Sequence, residues 1–261
     1  MSSLIGSARV QGRVIHALLM REVLTRYGRH NIGFLWLFVE PMIFTLGVAA
    51  LWSAFHAVHG SSLPIVAFAV TGYSSILLWR NMGFRTIGAI EPNLSLLYHR
   101  NIKPIDIYLS RLLLEVIGAT ASFVVVSFIF GMMSDDITWP ENLAEVIAGW
   151  TLLAWFGVGL AILAGAVSEE HEFVEKLWHP AQYLLVPLSG AAFQVDALPT
   201  ALQKLALYLP MVNGVEIVRE GFFGSKFHAH YDVGYLVTVN TVLTVLGLAQ
   251  LRKIAREITP E

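Results

Sequence analysis

Apolar residues gather into six long runs along this chain, at 35–56, 64–82, 105–133, 146–167, 177–195 and 233–251. Each comes close to or exceeds the roughly 20 residues that a helix needs to cross the hydrocarbon of a bilayer. The last three contain no Asp, Glu, Lys or Arg. The third carries Asp106, Arg111 and Glu115 in its first part, so its apolar centre begins after Glu115. The pattern predicts an all-α integral membrane protein with six transmembrane helices.

Three segments outside the runs have patterns of their own. Val10, Val14 and Leu18, with Ile15, Leu19 and Val23, form a stripe at helical spacing, and Arg9, Arg13, Arg21 and Arg26 surround it. This predicts an N-terminal amphipathic interface helix over 9–30, its basic side toward anionic headgroups. Residues 91–104 read EPNLSLLYHRNIKP; Asn93 is placed to cap a short helix and Pro104 to close the loop. Residues 197–231 predict a re-entrant external helical hairpin before the last span. There 198–209 is apolar but too short to cross, Pro199 and Pro210 bound it, and a second short segment, 213–223, ends at Gly224. Such backbone is tolerated at membrane depth only where protein or a watery cavity covers it. Glu216, Arg219 and Glu220 lie close together there and are expected to neutralise one another by local ion pairing. Residues 1–261 thus read as a single transmembrane domain, with spans one to five over 35–195 and the sixth over 233–251.

Charge placement sets the orientation, because Lys and Arg concentrate in cytoplasmic segments. Arg9, Arg13, Arg21, Arg26 and Arg29 precede the first run, Arg85, Arg100 and Lys103 follow the second, and Arg252, Lys253 and Arg256 follow the sixth. Segments 57–63 and 134–145 contain neither Lys nor Arg. Both termini are therefore expected in the cytoplasm. Composition agrees: 56% of residues are hydrophobic and 14% charged, where soluble domains carry about a quarter charged residues. Mean hydropathy is +0.63. A net charge of −2 gives no electrostatic reason for a nucleic-acid partner. With no cysteine, disulfides and thiolate metal sites are excluded. The first apolar run follows about thirty residues of polar sequence and is long enough to span, so it reads as a retained helix.

Motifs for chemistry are sparse. His171, Glu172 and Glu175 approach the zinc motif HExxH, but Glu175 stands where the second histidine belongs, so a solvated acidic loop is the expectation. No GxxxxGK[ST] stretch occurs, so any ATP hydrolysis belongs to another polypeptide. Arg111 and Glu115 lie one helical turn apart and are expected to pair. Glu40, beside Pro41 in the first run, has no sequence-local partner; it reaches another helix or faces a wet cavity. That carboxylate keeps an ATPase-independent, proton-coupled carrier open as an alternative. Trp36, Trp79, Trp178, Trp52 and Trp150 fall near span ends, as an interfacial aromatic belt requires. Trp36, Tyr73, Trp155 and Tyr183 are candidate walls of a translocation path.

Three stretches carry a family resemblance: Arg21, Glu22, Arg26, Tyr27, Gly33, Trp36 and Pro41; then HPAQYLLVPLSG at 179–190; then Leu209 and Pro210 with EIVREGFFG at 216–224. In order, spacing and topology they resemble the membrane subunits of ABC-2 type exporters, most of all the capsular-polysaccharide export permeases. Asn213 departs from that family, which commonly has His there. The resemblance implies a homodimer in the bacterial inner membrane, carried by two copies of an ABC ATPase subunit. That partner would use ATP and Mg; no cofactor is implied in this chain. It also implies a periplasmic co-polymerase, an outer-membrane exporter and a lipid-anchored polysaccharide substrate, with O-antigen or teichoic acid as neighbouring alternatives. Arg21, Leu96, Tyr98 and His99 are then the expected contacts to the ATPase. For a phosphate-bearing lipid headgroup the expected contacts are Arg26, Arg85 and Arg100, with Trp36 and Tyr183 as walls.

Overall fold

The structure is a computed structural model that describes residues 2–28, 35–54, 63–98, 102–133 and 139–258. Helices α1 (Ser2–Tyr27), α2 (Trp36–Ala54) and α3 (Ile65–Thr86) come first; a 3-10 turn, Glu91–Asn93, then leads into the single turn α4 (Leu94–Leu97). The long helices α5 (Pro104–Met133) and α6 (Leu143–Glu170) are followed by α7 (Glu172–Leu188). Two short helices, α8 (Thr200–Leu207) and α9 (Pro210–Phe223), precede α10 (Val233–Ile258). No strand occurs among the described residues.

Four of these helices, α2, α5, α6 and α10, are long and apolar enough to cross a membrane by length and composition. The predicted second and fifth runs are also helical, as α3 and α7. However, α3 carries Arg80 and Arg85 in its last turns, and α7 has 17 residues with a charged first turn.

The bundle centres on α3 and α6. On α6, Gly157, Ala161 and Gly165 recur every fourth residue and so share one face. A Cβ on Gly157 would stand 2.8 Å from the Trp79 Cα, and one on Gly165 2.7 Å from the Thr86 Cβ. The small residues therefore let the α3 and α6 backbones approach closely, as between membrane helices. The Thr86 hydroxyl then donates across the seam to the Ala161 carbonyl at 2.7 Å. Around the seam lie Phe68, Trp79, Met82, Tyr108, Leu112, Leu153 and Phe156, all buried. Helix α9 packs on α6 through Val215, Val218 and Phe222, and α1 lays Val14 and Leu18 onto α5.

Element ends differ from the apolar runs where polar side chains decide them. Asn142 caps α6, its side chain accepting from the Glu145 amide at 3.3 Å, so that helix starts three residues before the run. The fifth run reaches 195, yet α7 stops at Leu188 and turns at Gly190, whose φ is 83°. Apolar sequence does continue, but the carbonyls freed beyond the turn are claimed by a buried arginine from α9.

Candidate functional site

That arginine, Arg219, is fully buried. Its Nη1 donates to the Gly190 and Phe193 carbonyls at 2.7 and 2.8 Å, and its Nη2 to Ala191 at 2.6 Å. The guanidinium lies over Phe68, 3.7 Å from the ring centroid. Glu216 accepts from the backbone amides of Val195 and His230 at 3.4 and 3.0 Å. Glu220 instead faces Glu145 and Tyr231. The Glu220 carboxylate pushes the Tyr231 hydroxyl up to about 12. No close ion pair joins the three charged residues of 216–220: Glu216 and Arg219 attract each other at longer range, and each side chain holds a different segment of the loop. Asn213, also buried, donates to the Leu207 and Leu209 carbonyls and accepts from the Asp232 amide at 2.8 Å.

At the opposite end of α3 a second polar cluster ties α1 to the bundle. Arg26 pairs with Glu22 and with Glu115 of α5, and Arg85 reaches the same Glu115 oxygen at 2.8 Å. Arg111 lies 3.5 Å from Glu22 and donates to the Arg85 carbonyl at 2.9 Å. So Arg111 and Glu115, one turn apart, pair with other helices and not with each other. Burial disfavours the Arg26 charge, but Glu115 and Glu22 outweigh it and hold its pKa above the ordinary value. Arg21 of α1 donates to the Asn93 side chain at 2.7 Å, and Asn93 in turn donates to the Ala89 carbonyl. From α6, Glu169 accepts from the Ile90 amide at 2.9 Å. The 91–98 turn is thus fixed on two sides while Tyr98 projects outward, 90% exposed. Leu96 packs inward against the core. His99 and Arg100 lie outside the described residues.

Between α2, α3 and α7 runs a cleft of about 630 Å3. Glu40, Arg80, Asn81, Arg85, His179 and Tyr183 give it polar walls, and Ile43, Phe44 and Leu77 apolar ones. Of the expected headgroup contacts, Arg85 and Tyr183 line it. Arg26 is held by Glu22 and Glu115, and Trp36, one turn before Glu40 on α2, is half exposed but not part of the lining. Arg80 is not among those expected contacts, although it is the single charged residue within the run 64–82. No cluster of metal-ligating side chains occurs among the described residues, and the 171–175 stretch forms no such site.

A helical bundle with apolar spans, a charged cleft and a protruding short turn is the architecture of a membrane transport subunit. Residues 13–223 match the ABC-2 type transporter family, and the chain belongs to it. Over 255 residues it is 42% identical to the capsule polysaccharide export inner-membrane protein CtrC of Neisseria meningitidis serogroup B, covering 98% of this chain and 96% of that protein. It is 40% identical over the same length to the capsule polysaccharide export inner-membrane protein BexB of Haemophilus influenzae, with the same shares covered. A more distant relative is the polysialic acid transport protein KpsM of Escherichia coli, 28% identical over 251 residues, 93% of this chain and 94% of that one.

Proposed function

We propose that this chain is the membrane-spanning permease of an ATP-driven exporter that moves capsular polysaccharide across the bacterial inner membrane. The observation that carries the reading is end-to-end similarity, near 40% identity, to inner-membrane proteins of capsule polysaccharide export. In this reading α2, α3, α5, α6, α7 and α10 are six spans with both termini in the cytoplasm, and 197–231 is a re-entrant external region. Two copies form the permease, and two ATPase subunits supply the hydrolysis for which this chain has no phosphate-binding loop. A periplasmic co-polymerase and an outer-membrane exporter complete the path.

The cleft between α2, α3 and α7 serves as the portal for a lipid-anchored glycan. Tyr183 offers a flat ring for a sugar, and Arg85 a cation beside Glu115. The protruding 91–98 turn, with Tyr98 exposed and Arg21 bracing it through Asn93, is the ATPase contact. A carrier that works without an ATPase remains the competing class, favoured by Glu40 in the cleft.

Two measurements test the reading. Tagged chain purified in detergent should bring down an ATP-hydrolysing subunit. Expressed in a capsulated strain that lacks its own permease, together with the ATPase from its source, it should restore surface polysaccharide. Purification without ATPase activity, combined with transport driven by a proton gradient, would replace the exporter by the carrier.

A further inference from the structure

Among the described residues five arginines reach into the bundle, and four of them have a carboxylate or a carbonyl partner. Arg26 and Arg85 share Glu115, Arg111 has Glu22 and the Arg85 carbonyl, and Arg219 holds three carbonyls. Arg80 is different. It is 9% exposed, and among the described residues it has neither a carboxylate nor a carbonyl partner; its Nε is buried without an acceptor. Its company is aromatic: the guanidinium carbon lies 4.8 Å from the Tyr183 ring centroid and 5.2 Å from that of Phe84. Rings stabilise a cation over their faces but leave its N–H edges without acceptors. A guanidinium stays charged wherever it is placed, so burying one without an anion is costly unless the anion arrives with a ligand.

The space for that ligand is the cleft that Arg80 lines. One part is apolar, with Ile43, Phe44 and Leu77, and the other presents Asn81 and the open side of Arg85, whose side chain is 35% exposed. Arg80 stands six residues before the end of α3 at Thr86, about 9 Å along the axis at 1.5 Å per residue. In the six-span reading this is the cytoplasmic end of the second span, where headgroups meet acyl chains. Glu40 shares the cleft without pairing with Arg80, and disfavours ligands that carry charge along their whole length. A planar fork of donors beside an apolar wall suits a phosphate ester attached to a lipid.

We propose that Arg80 is the anchoring residue for the phosphate of a membrane lipid held in the α2–α3–α7 cleft, with Tyr183 and Phe84 orienting its guanidinium. This rests on the export reading for the identity of the natural lipid, the anchored glycan; the site itself is tested with a simple probe. The full chain is reconstituted in phosphatidylcholine nanodiscs doped with phosphatidylglycerol, and the lipids it retains are counted by native mass spectrometry. The parent should retain phosphatidylglycerol in preference to phosphatidylcholine. Arg80→Gln should weaken that retention at least tenfold, Arg80→Lys should recover part of it, and Arg252→Gln on the far basic tail should leave it unchanged. Equal retention by the parent and Arg80→Gln, or no preference in the parent, would overturn the site. Displacement by sn-glycerol 3-phosphate, which has no acyl chain, would overturn the lipid as the source of the phosphate. Should Arg80→Gln not fold, the parent's preference and the Arg80→Lys value still decide. Any of these failures in a chain that still brings down its ATPase and exports leaves the export reading standing.

Discussion

Arg219 of α9 fixes the chain that follows α7. It holds three backbone carbonyls of 190–193, and Gly72 makes room for it: a Cβ at Gly72 would sit 2.6 Å both from its Nη2 and from the Ala191 oxygen. Arg219→Met removes every donor and leaves the carbonyls buried without partners, a loss of about 3–5 kcal/mol. Arg219→Lys offers a point charge where a planar fork is needed and should recover only part of this. Thermal unfolding in detergent measures both, and a Met variant as stable as the parent would contradict the assignment. Tyr231 gives a pH signature on the same loop. Because the Glu220 carboxylate raises its hydroxyl to about 12, the folded state holds that proton more tightly than the unfolded chain does. Its contribution is therefore full below the ordinary tyrosine value and is lost as pH rises toward about 12. Tyr231→Phe should flatten that part of the stability–pH curve, read as unfolding temperature against pH, and a curve as steep as the parent's would remove the contact from the account.

At the scale of elements, α1 is clamped. Its inward face carries Val14 and Leu18 for packing and then Glu22 and Arg26 for charge, spaced four apart, so one helical stripe supplies both. The apolar part of the stripe is legible in the sequence; Arg26 reads there as a headgroup contact until Glu115 of α5 is seen beside it. The 91–98 turn, held by Asn93 and Glu169, is rigid at its base and open at its tip. Alanine at Leu96, Tyr98 and His99 together should leave the protein inserted and assembled. ATP hydrolysis by the complex should then continue while export falls at least tenfold, scored as surface polysaccharide per ATP consumed. Unchanged export would take this turn out of the coupling path.

For the whole molecule, six helices follow the six apolar runs, and the absence of cysteine makes their topology directly measurable. Trp139 and His228 are exposed at the end of the bundle that holds α8 and α9, and Tyr98 and Phe173 at the other. In intact cells an impermeant thiol reagent should label Trp139→Cys and His228→Cys and spare Tyr98→Cys and Phe173→Cys. The reverse pattern would turn the protein over in the membrane and place the short turn outside, beyond reach of any ATPase.

By itself the sequence determined which segments are helices, because apolar runs of span length with Pro and Gly at the breaks are local signals that the chain carries wherever it folds. It also placed the short turn and the two short helices before the last span. Only the tertiary structure decided how the charges are spent. Glu22, Arg26, Arg85, Arg111 and Glu115 come from three helices, and up to 93 residues separate them along the chain, from 22 to 115. Spacing along one helix paired Arg111 with Glu115 and Glu216 with Arg219, whereas in the bundle each found a nearer partner on another element. Among the described residues Arg80 was left with aromatic neighbours and no carboxylate or carbonyl, which becomes visible only when those neighbours are in place. Helix formation is governed by residues within a few positions, but the satisfaction of a buried charge depends on whatever the fold brings within about 4 Å.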